Sequence, residues 1–141
     1  MSKQLIYLSA PFGGRIANVS MAERWLAWAQ RYTIWGQWVQ APWISSARAW
    51  LLFRGDLPDT IPAIYAAWVA SGGLDVEHAM QSVFSGVLHV RGDQSPGQQR
   101  EAKRCVQEFG GRVWRVLDGE GMAGPPGPWA LTLEETTEHW R

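Results

Sequence analysis

The chain has 141 residues, enough for one domain with a proper core. Thirteen basic and thirteen acidic side chains cancel, so nothing in the charge balance points to a nucleic-acid polymer or an anionic membrane as partner. A single cysteine excludes an intrachain disulfide, no apolar run approaches the roughly 20 residues that span a bilayer, and no signal-peptide pattern opens the chain, so a cytoplasmic location is expected.

Leu5 to Ser9 predicts a first, central strand, and Pro11-Phe12-Gly13-Gly14-Arg15 the loop leaving its carboxyl end. The paired glycines let that backbone turn at positive φ or come close to a ligand. Ser20-Met21-Ala22-Glu23 has the form of a capping box, and Met21, Trp25, Trp28, Ala29 and Tyr32 make the apolar stripe of the helix behind it. Asn18-Val19-Ser20 is then a chance match to a glycosylation acceptor. Gly36 to Trp43 alternates and ends in Pro42-Trp43, which suggests a second strand opening onto a loop. Trp43 and Trp50 are either core or interface aromatics or faces on which a nucleobase stacks.

Residues 44 to 59 carry little signal beyond a helical turn over Ala47 to Phe53 and a loop over Arg54 to Asp59. Asp59 or Thr60 caps a helix in which Ile61, Ile64, Tyr65 and Trp68 share a face, closed by Gly72-Gly73. A short helix, Leu74 to Gln81, carries Asp75, Glu77 and His78, either on a solvated face or turned toward a site.

Val83 to Val90 has the length and β-branched content of a buried strand. Arg91 to Gln94 is a turn, so its Arg91-Gly92-Asp93 is not read as an adhesion motif. Ser95 as N-cap with Pro96 at the first helical position starts a helix. Ala102, Cys105, Val106 and Phe109 form its apolar face, which makes Cys105 a buried, inert thiol. Gly110-Gly111 ends the helix and Val113 to Leu117 is the next strand. His89, inside the strand run, reads as a hydrogen-bonded structural residue.

The composition shifts after that, from Gly119 to Pro128, and Trp129 to Trp140 follows with Thr132 capping a terminal helix. Its Trp129, Leu131, Leu133 and Trp140 need a surface to bury against, on the chain's own core or on a neighbouring subunit. The ten tryptophans allow either. Residues 1–118 are therefore expected as the α/β domain and 119–141 as a Gly/Pro-rich linker and tail.

A strand–turn–helix–strand unit in an open α/β sheet puts its turn at the carboxyl edge, where ligands bind. The free N–H groups of Ser95 to Gln98 favour an anion there. Glu101, about one turn into the helix, is ordinarily a surface residue. It lies next to the core-facing stripe, however, where a carboxylate can point along the sheet edge and the helix dipole helps keep it ionised, as suits a nucleophile or base.

Ser95-Pro96-Gly97-Gln98-Gln99-Arg100-Glu101-Ala102 resembles the S-x-G-x-x-x-E segment of the nucleoside 2-deoxyribosyltransferase-like superfamily, which includes 2′-deoxynucleoside 5′-monophosphate N-glycosidases. Leu5-Ile6-Tyr7-Leu8-Ser9-Ala10-Pro11-Phe12-Gly13-Gly14-Arg15 is similar to the first strand and Gly-rich loop of that superfamily. The resemblance covers the first 30 residues and residues 74 to 117. It implies a flavodoxin/Rossmann-like three-layer sandwich with a mostly parallel sheet of four to five strands. It implies Glu101 as nucleophile and a second carboxylate upstream, at Glu77 by ungapped counting or at Asp75 if the register differs. The substrate-binding residues it implies are Ser9, Pro11, Phe12, Gly13, Gly14, Arg15, Trp43, Asp93, Ser95 and Gly97, with Ser95 on a 5′-phosphate.

The implied reaction breaks or transfers the N-glycosidic bond of a nucleoside 5′-monophosphate or deoxynucleoside, without metal or organic cofactor. The expected partners are that small molecule and further copies of the chain in a homo-oligomer. Departures from the pattern are Phe12 where the hydrolases have Arg, Glu77 where relatives have Asp, and Ser85-Gly86 where the third strand begins with Asp. They leave two other readings open: a nucleotide-binding or sensing module without turnover, and a structural or partner-binding protein that keeps only the fold.

Overall fold

The computed structural model describes residues 4–13, 15–54, 61–91, 95–116, 125 and 133–141, with backbone only for 50, 53, 54 and 61–65. The elements run β1 (Ile6–Ser9), α1 (Ile16–Tyr32), β2 (Val39–Gln40), α2 (Trp43–Arg54), α3 (Ile61–Ala70), α4 (Gly73–Gln81), β3 (Gly86–His89), α5 (Pro96–Lys103), β4 (Arg112–Val116) and β5 (Leu133–Glu135). The protein is α/β, and among the described residues five strands form one sheet in the order β2-β1-β3-β4-β5. The first three pairings are parallel, with Ser9 level with His89 and His89 level with Arg115. Only β5 is antiparallel, Leu133 facing Val116. This arrangement is compatible with a Rossmann-like fold.

Alternation along the strands divides the core between two faces. Ile6, Leu8, Leu88, Val90 and Val116 turn toward α1 and α2, where Val19, Trp25, Trp28, Ala29, Ile44 and Leu51 meet them. Tyr7, Val87 and Val113 turn the other way, onto Ala102 and Cys105 of the α5 region and onto Trp140. Gly86 is where the sheet has no room for a side chain: a Cβ there would lie 2.8 Å from Trp114 Cζ3 and 2.9 Å from Ile6 Cδ1.

Several elements depart from expectation. The first helix starts a turn before Ser20, at Ile16, because the preceding loop folds onto it: Asn18 Nδ2 donates to the Phe12 carbonyl at 2.7 Å. Glu23 does not close a capping box, since its carboxylate pairs with Arg48 of α2. The second strand shrinks to Val39–Gln40 because Gly36, at φ 54, starts a 3-10 turn through Trp38, and Trp43 opens α2 instead of ending a strand. The poorly legible stretch after it is a full helix to Arg54. The expected caps Asp59 and Thr60 lie outside the described residues. Past Lys103, α5 runs on as a π-helical stretch, Arg104–Glu108. The third strand begins at Gly86, not Val83, which is two-thirds exposed.

The largest difference is at the carboxyl end, where the expected terminal helix is replaced by β5 and a 3-10 turn, Thr137–Trp140. Thr132, its expected cap, lies outside the described residues, as does the linker apart from Pro125. The pairing explains the change. Thr136 N–H donates to the Val113 carbonyl, Val113 N–H donates to Thr137 Oγ1 at 3.0 Å, and Arg115 grips Glu134 at 3.1 Å. Trp140 then buries 95 % of its surface against the chain's own core, 5 % remaining exposed. Trp140→Ala should cost about 3–4 kcal/mol of stability, read from denaturant midpoints, because the indole fills a closed cluster that cannot collapse around alanine. A loss below about 1 kcal/mol would show that the tail is not held by this contact.

Candidate active site

Strand order reverses direction between β1 and β3, since the chain leaves β1 for β2 on one side and returns to β3 on the other. The carboxyl ends of these two strands therefore frame the crevice that open α/β sheets use for ligands. Ser9 ends β1, Val90 and Arg91 follow β3, and α5 starts from Ser95 beside them. Ser95 is the N-cap residue and Pro96 takes the first helical position, but the Ser95 hydroxyl makes no cap bond, which leaves it for other partners.

Glu101 is inside, not on the surface. It is 7 % exposed, and Ser9 Oγ donates to its Oε1 at 2.8 Å across 92 positions of sequence. Gln81 Nε2 donates to its backbone carbonyl. Burial, first, and the charge of Glu77, second, raise the Glu101 carboxyl from 4.5 to about 8; the Tyr7 and Ser9 hydroxyls and Arg100 oppose the rise without cancelling it. The expectation that the helix dipole keeps it ionised is thus corrected: desolvation wins, and at neutral pH the group is mainly the acid. Tyr7 lies fully buried beside it, and the same burial and carboxyl push its phenol well above the usual range. The phenol responds to Glu101 yet meets no partner in ordinary hydrogen-bond geometry.

Glu77 is the nearby carboxylate. It is 8 % exposed in the middle of α4 and takes Arg100 in a two-point grip, 3.0 Å from Nε and 2.9 Å from Nη2, with Arg104 Nη1 at 3.1 Å. Asp75, two positions away on the helix, is exposed and apart from this cluster; His78 is also exposed and pairs with Glu108 at 3.1 Å.

Phe12 and Trp43 meet at 6.2 Å between ring centres, and Trp43 Nε1 donates to the Leu8 carbonyl at 2.9 Å, so the first loop and the start of α2 stand together beside the end of β1. Pro11 and Gly13 are half-buried in that loop, Gly13 at φ 59, and Arg15 is exposed at the start of α1. Gly97 is half-buried, and a Cβ at that position would meet Arg100 and Ser95 only at ordinary contact distance. Gly14 and Asp93 lie outside the described residues. Trp50 lies in α2.

Three residues at the crevice were not anticipated. Gln98, 1 % exposed, donates through Nε2 to the Val90 carbonyl at 2.9 Å and the Ser9 carbonyl at 3.2 Å, tying β3 to β1. His89 bonds the Gln98 carbonyl at 3.0 Å, in keeping with its structural reading. Arg91 sits at φ 59, an uncommon backbone for a long side chain, and reaches Asn18 Oδ1 at 3.1 Å. Tyr7, the third, was read only as part of a strand. Nothing in the sequence marks these residues, because each is made by contacts across the sheet. Cys105 is buried as expected, its thiol pushed up to about 12 by burial. Among the described residues no His, Cys, Asp and Glu cluster suits a metal, and no helix is long and apolar enough to cross a membrane.

No family model, curated protein or solved structure matches the chain.

Proposed function

We propose that the protein cleaves or transfers the N-glycosidic bond of a nucleoside 5′-monophosphate or deoxynucleoside, with Glu101 as nucleophile, on a flavodoxin-like three-layer sandwich. The observation that carries this reading is the 2.8 Å Ser9–Glu101 hydrogen bond, which fixes a buried carboxyl at the β1/β3 crevice. Ionised Glu101 attacks the anomeric carbon as the C–N bond breaks; the base leaves with the bonding electrons and takes its proton from water. Water then cleaves the glycosyl ester, or the nitrogen of a second base displaces Glu101. Ser9 orients the nucleophile. Glu77, with both oxygens on guanidinium groups, positions Arg100 beside the site and does not itself shuttle protons. Ser95, the α5 amides and Arg91 suit a 5′-phosphate.

Chromatography of nucleoside 5′-monophosphates and deoxynucleosides incubated with the protein tests the reading directly. Free base should appear with the parent and be absent with Glu101→Ala. Its rate should climb with pH toward about 8 as Glu101 ionises. A rate that falls over that range makes Glu101 a general acid instead.

A second reading, binding without turnover, is favoured by the Gln98 carboxamide that bridges the two strand ends of the crevice. Mononucleotide binding with no free base from any substrate would select it.

A further inference from the structure

Arg100, Lys103 and Arg104 stand at i, i+3 and i+4, so they share one side of α5 and its π-helical continuation. With Pro96, Gln99, Gln107 and Glu108 they line an open groove of about 440 Å3, in the size range of small-molecule sites. Its cations are differently committed. Arg100 and Arg104 both hold Glu77, and Glu108 is drawn to His78. Lys103 is exposed and has no ion-pair partner among the described residues. Three positive side chains against Glu77 and Glu108 leave the groove positive on a chain of zero net charge.

Glu77 also orients this groove. A guanidinium fixed along one edge by a carboxylate presents its remaining N–H groups in a set direction, the arrangement that suits a planar or tetrahedral oxyanion. Arg104 gives Glu77 only Nη1. We propose that this groove binds a phosphate monoester, with Lys103 and Arg104 as its main charge partners and Arg100 completing the cradle. The space beyond one phosphate group accommodates the organic part of the ester. The groove adjoins the crevice at its Pro96 and Arg100 end, while Lys103 and Arg104 lie further along α5 and its continuation; its binding does not depend on the glycosidic chemistry.

It is nevertheless wired to Glu101. The carboxylate that holds Arg100 and Arg104 also acts on the Glu101 charge. An anion in the groove competes with Glu77 for both guanidinium groups and leaves Glu77 less neutralised, which disfavours a second negative charge on Glu101. Binding and Glu101 ionisation therefore oppose each other reciprocally.

The test is a calorimetric titration of the folded protein with inorganic phosphate and with glycerol 3-phosphate, alongside Lys103→Glu and Ser95→Ala. Saturable one-site binding of the ester is expected, weakened at least about tenfold by Lys103→Glu, which reverses one charge of the cradle without touching Glu77. Ser95→Ala should bind as the parent does. No saturation by about 20 mM, or affinity unchanged in Lys103→Glu, overturns the proposal. Binding lost in Ser95→Ala but kept in Lys103→Glu also overturns it, and assigns the phosphate to the crevice of the proposed reaction instead.

Discussion

Glu101→Gln should flatten the pH dependence of stability and make the protein more stable than its parent in alkali. The parent carboxyl titrates near 4.5 when unfolded and at about 8 when folded. Between those values the folded chain holds a proton that the unfolded chain has released, so stability falls as pH rises through the window. It is fully present below about 4.5 and exhausted above about 8. Each pH unit inside the window removes about 1.4 kcal/mol. Glutamine is permanently neutral and its side-chain oxygen still accepts from Ser9, so it keeps the geometry of the acid form without the titration.

Parent and variant should match within about 1 kcal/mol at pH 4 and diverge by several kcal/mol at pH 8, in denaturant midpoints measured at each pH. Every other titrating group is common to both chains, so the difference curve isolates this carboxyl. Parallel curves would mean that Glu101 is ionised in the folded protein and that water reaches it. The same substitution removes the nucleophile, so a variant that gains alkaline stability while losing base release separates the two roles of one residue. Loss of activity and gain of stability at one position is the signature expected of a site that stores electrostatic strain.

The strand–turn–helix–strand run from Val83 to Leu117 was legible because its signals are local. A β-branched stretch, a Ser-Pro helix start and an apolar face at helical spacing each report on neighbours within a turn or two. Glu101 could be singled out for the same reason, about one turn into a readable helix, whereas Ser9 was named only through the resemblance. What could not be read was their meeting, which depends on β1 lying next to β3, and hence the burial that turns Glu101 into an acid. Local rules misjudged Ser20 and Glu23, whose capping pattern is genuine in spacing but whose carboxylate is claimed by Arg48 from another helix. The same competition undid the terminal helix: Leu133 to Glu135 lies in the stretch expected to be helical, yet β4 offers an open edge with Arg115 and Arg112 facing Glu134 and Glu135. An unpaired strand edge outweighs a weak local helical preference.

Glu77→Ala should be the most destabilising change in the candidate site, by about 3 kcal/mol. Its carboxylate is 9 % exposed in the side chain, against 21 % and 17 % for the Arg100 and Arg104 side chains it holds. Deleting it leaves two part-buried guanidinium groups without the carboxylate that both of them hold. The remaining exposure of the arginines lets some water in, which keeps the cost at the lower end of the range for broken buried pairs. Glu77→Gln retains the shape but not the charge and should recover only part of the loss.

The double variant Glu77→Ala with Arg104→Met should be less destabilised than the sum of its single changes, since it removes a cation that no longer has a partner. Additive losses would show that the pairs contribute no coupling and that Glu77 is held by packing alone. The charge at 77 also reaches Glu101. Without it the second cause of the raised carboxyl disappears while Arg100 loses its competing partner, so Glu101 ionises at lower pH in Glu77→Ala. The pH difference curve against a Glu101→Gln partner variant should then close its window earlier, moving the end of the stability decline below about 8. A window unchanged in Glu77→Ala would mean that burial alone governs Glu101, and that the double arginine grip holds α4 to α5 without tuning the carboxyl beside it.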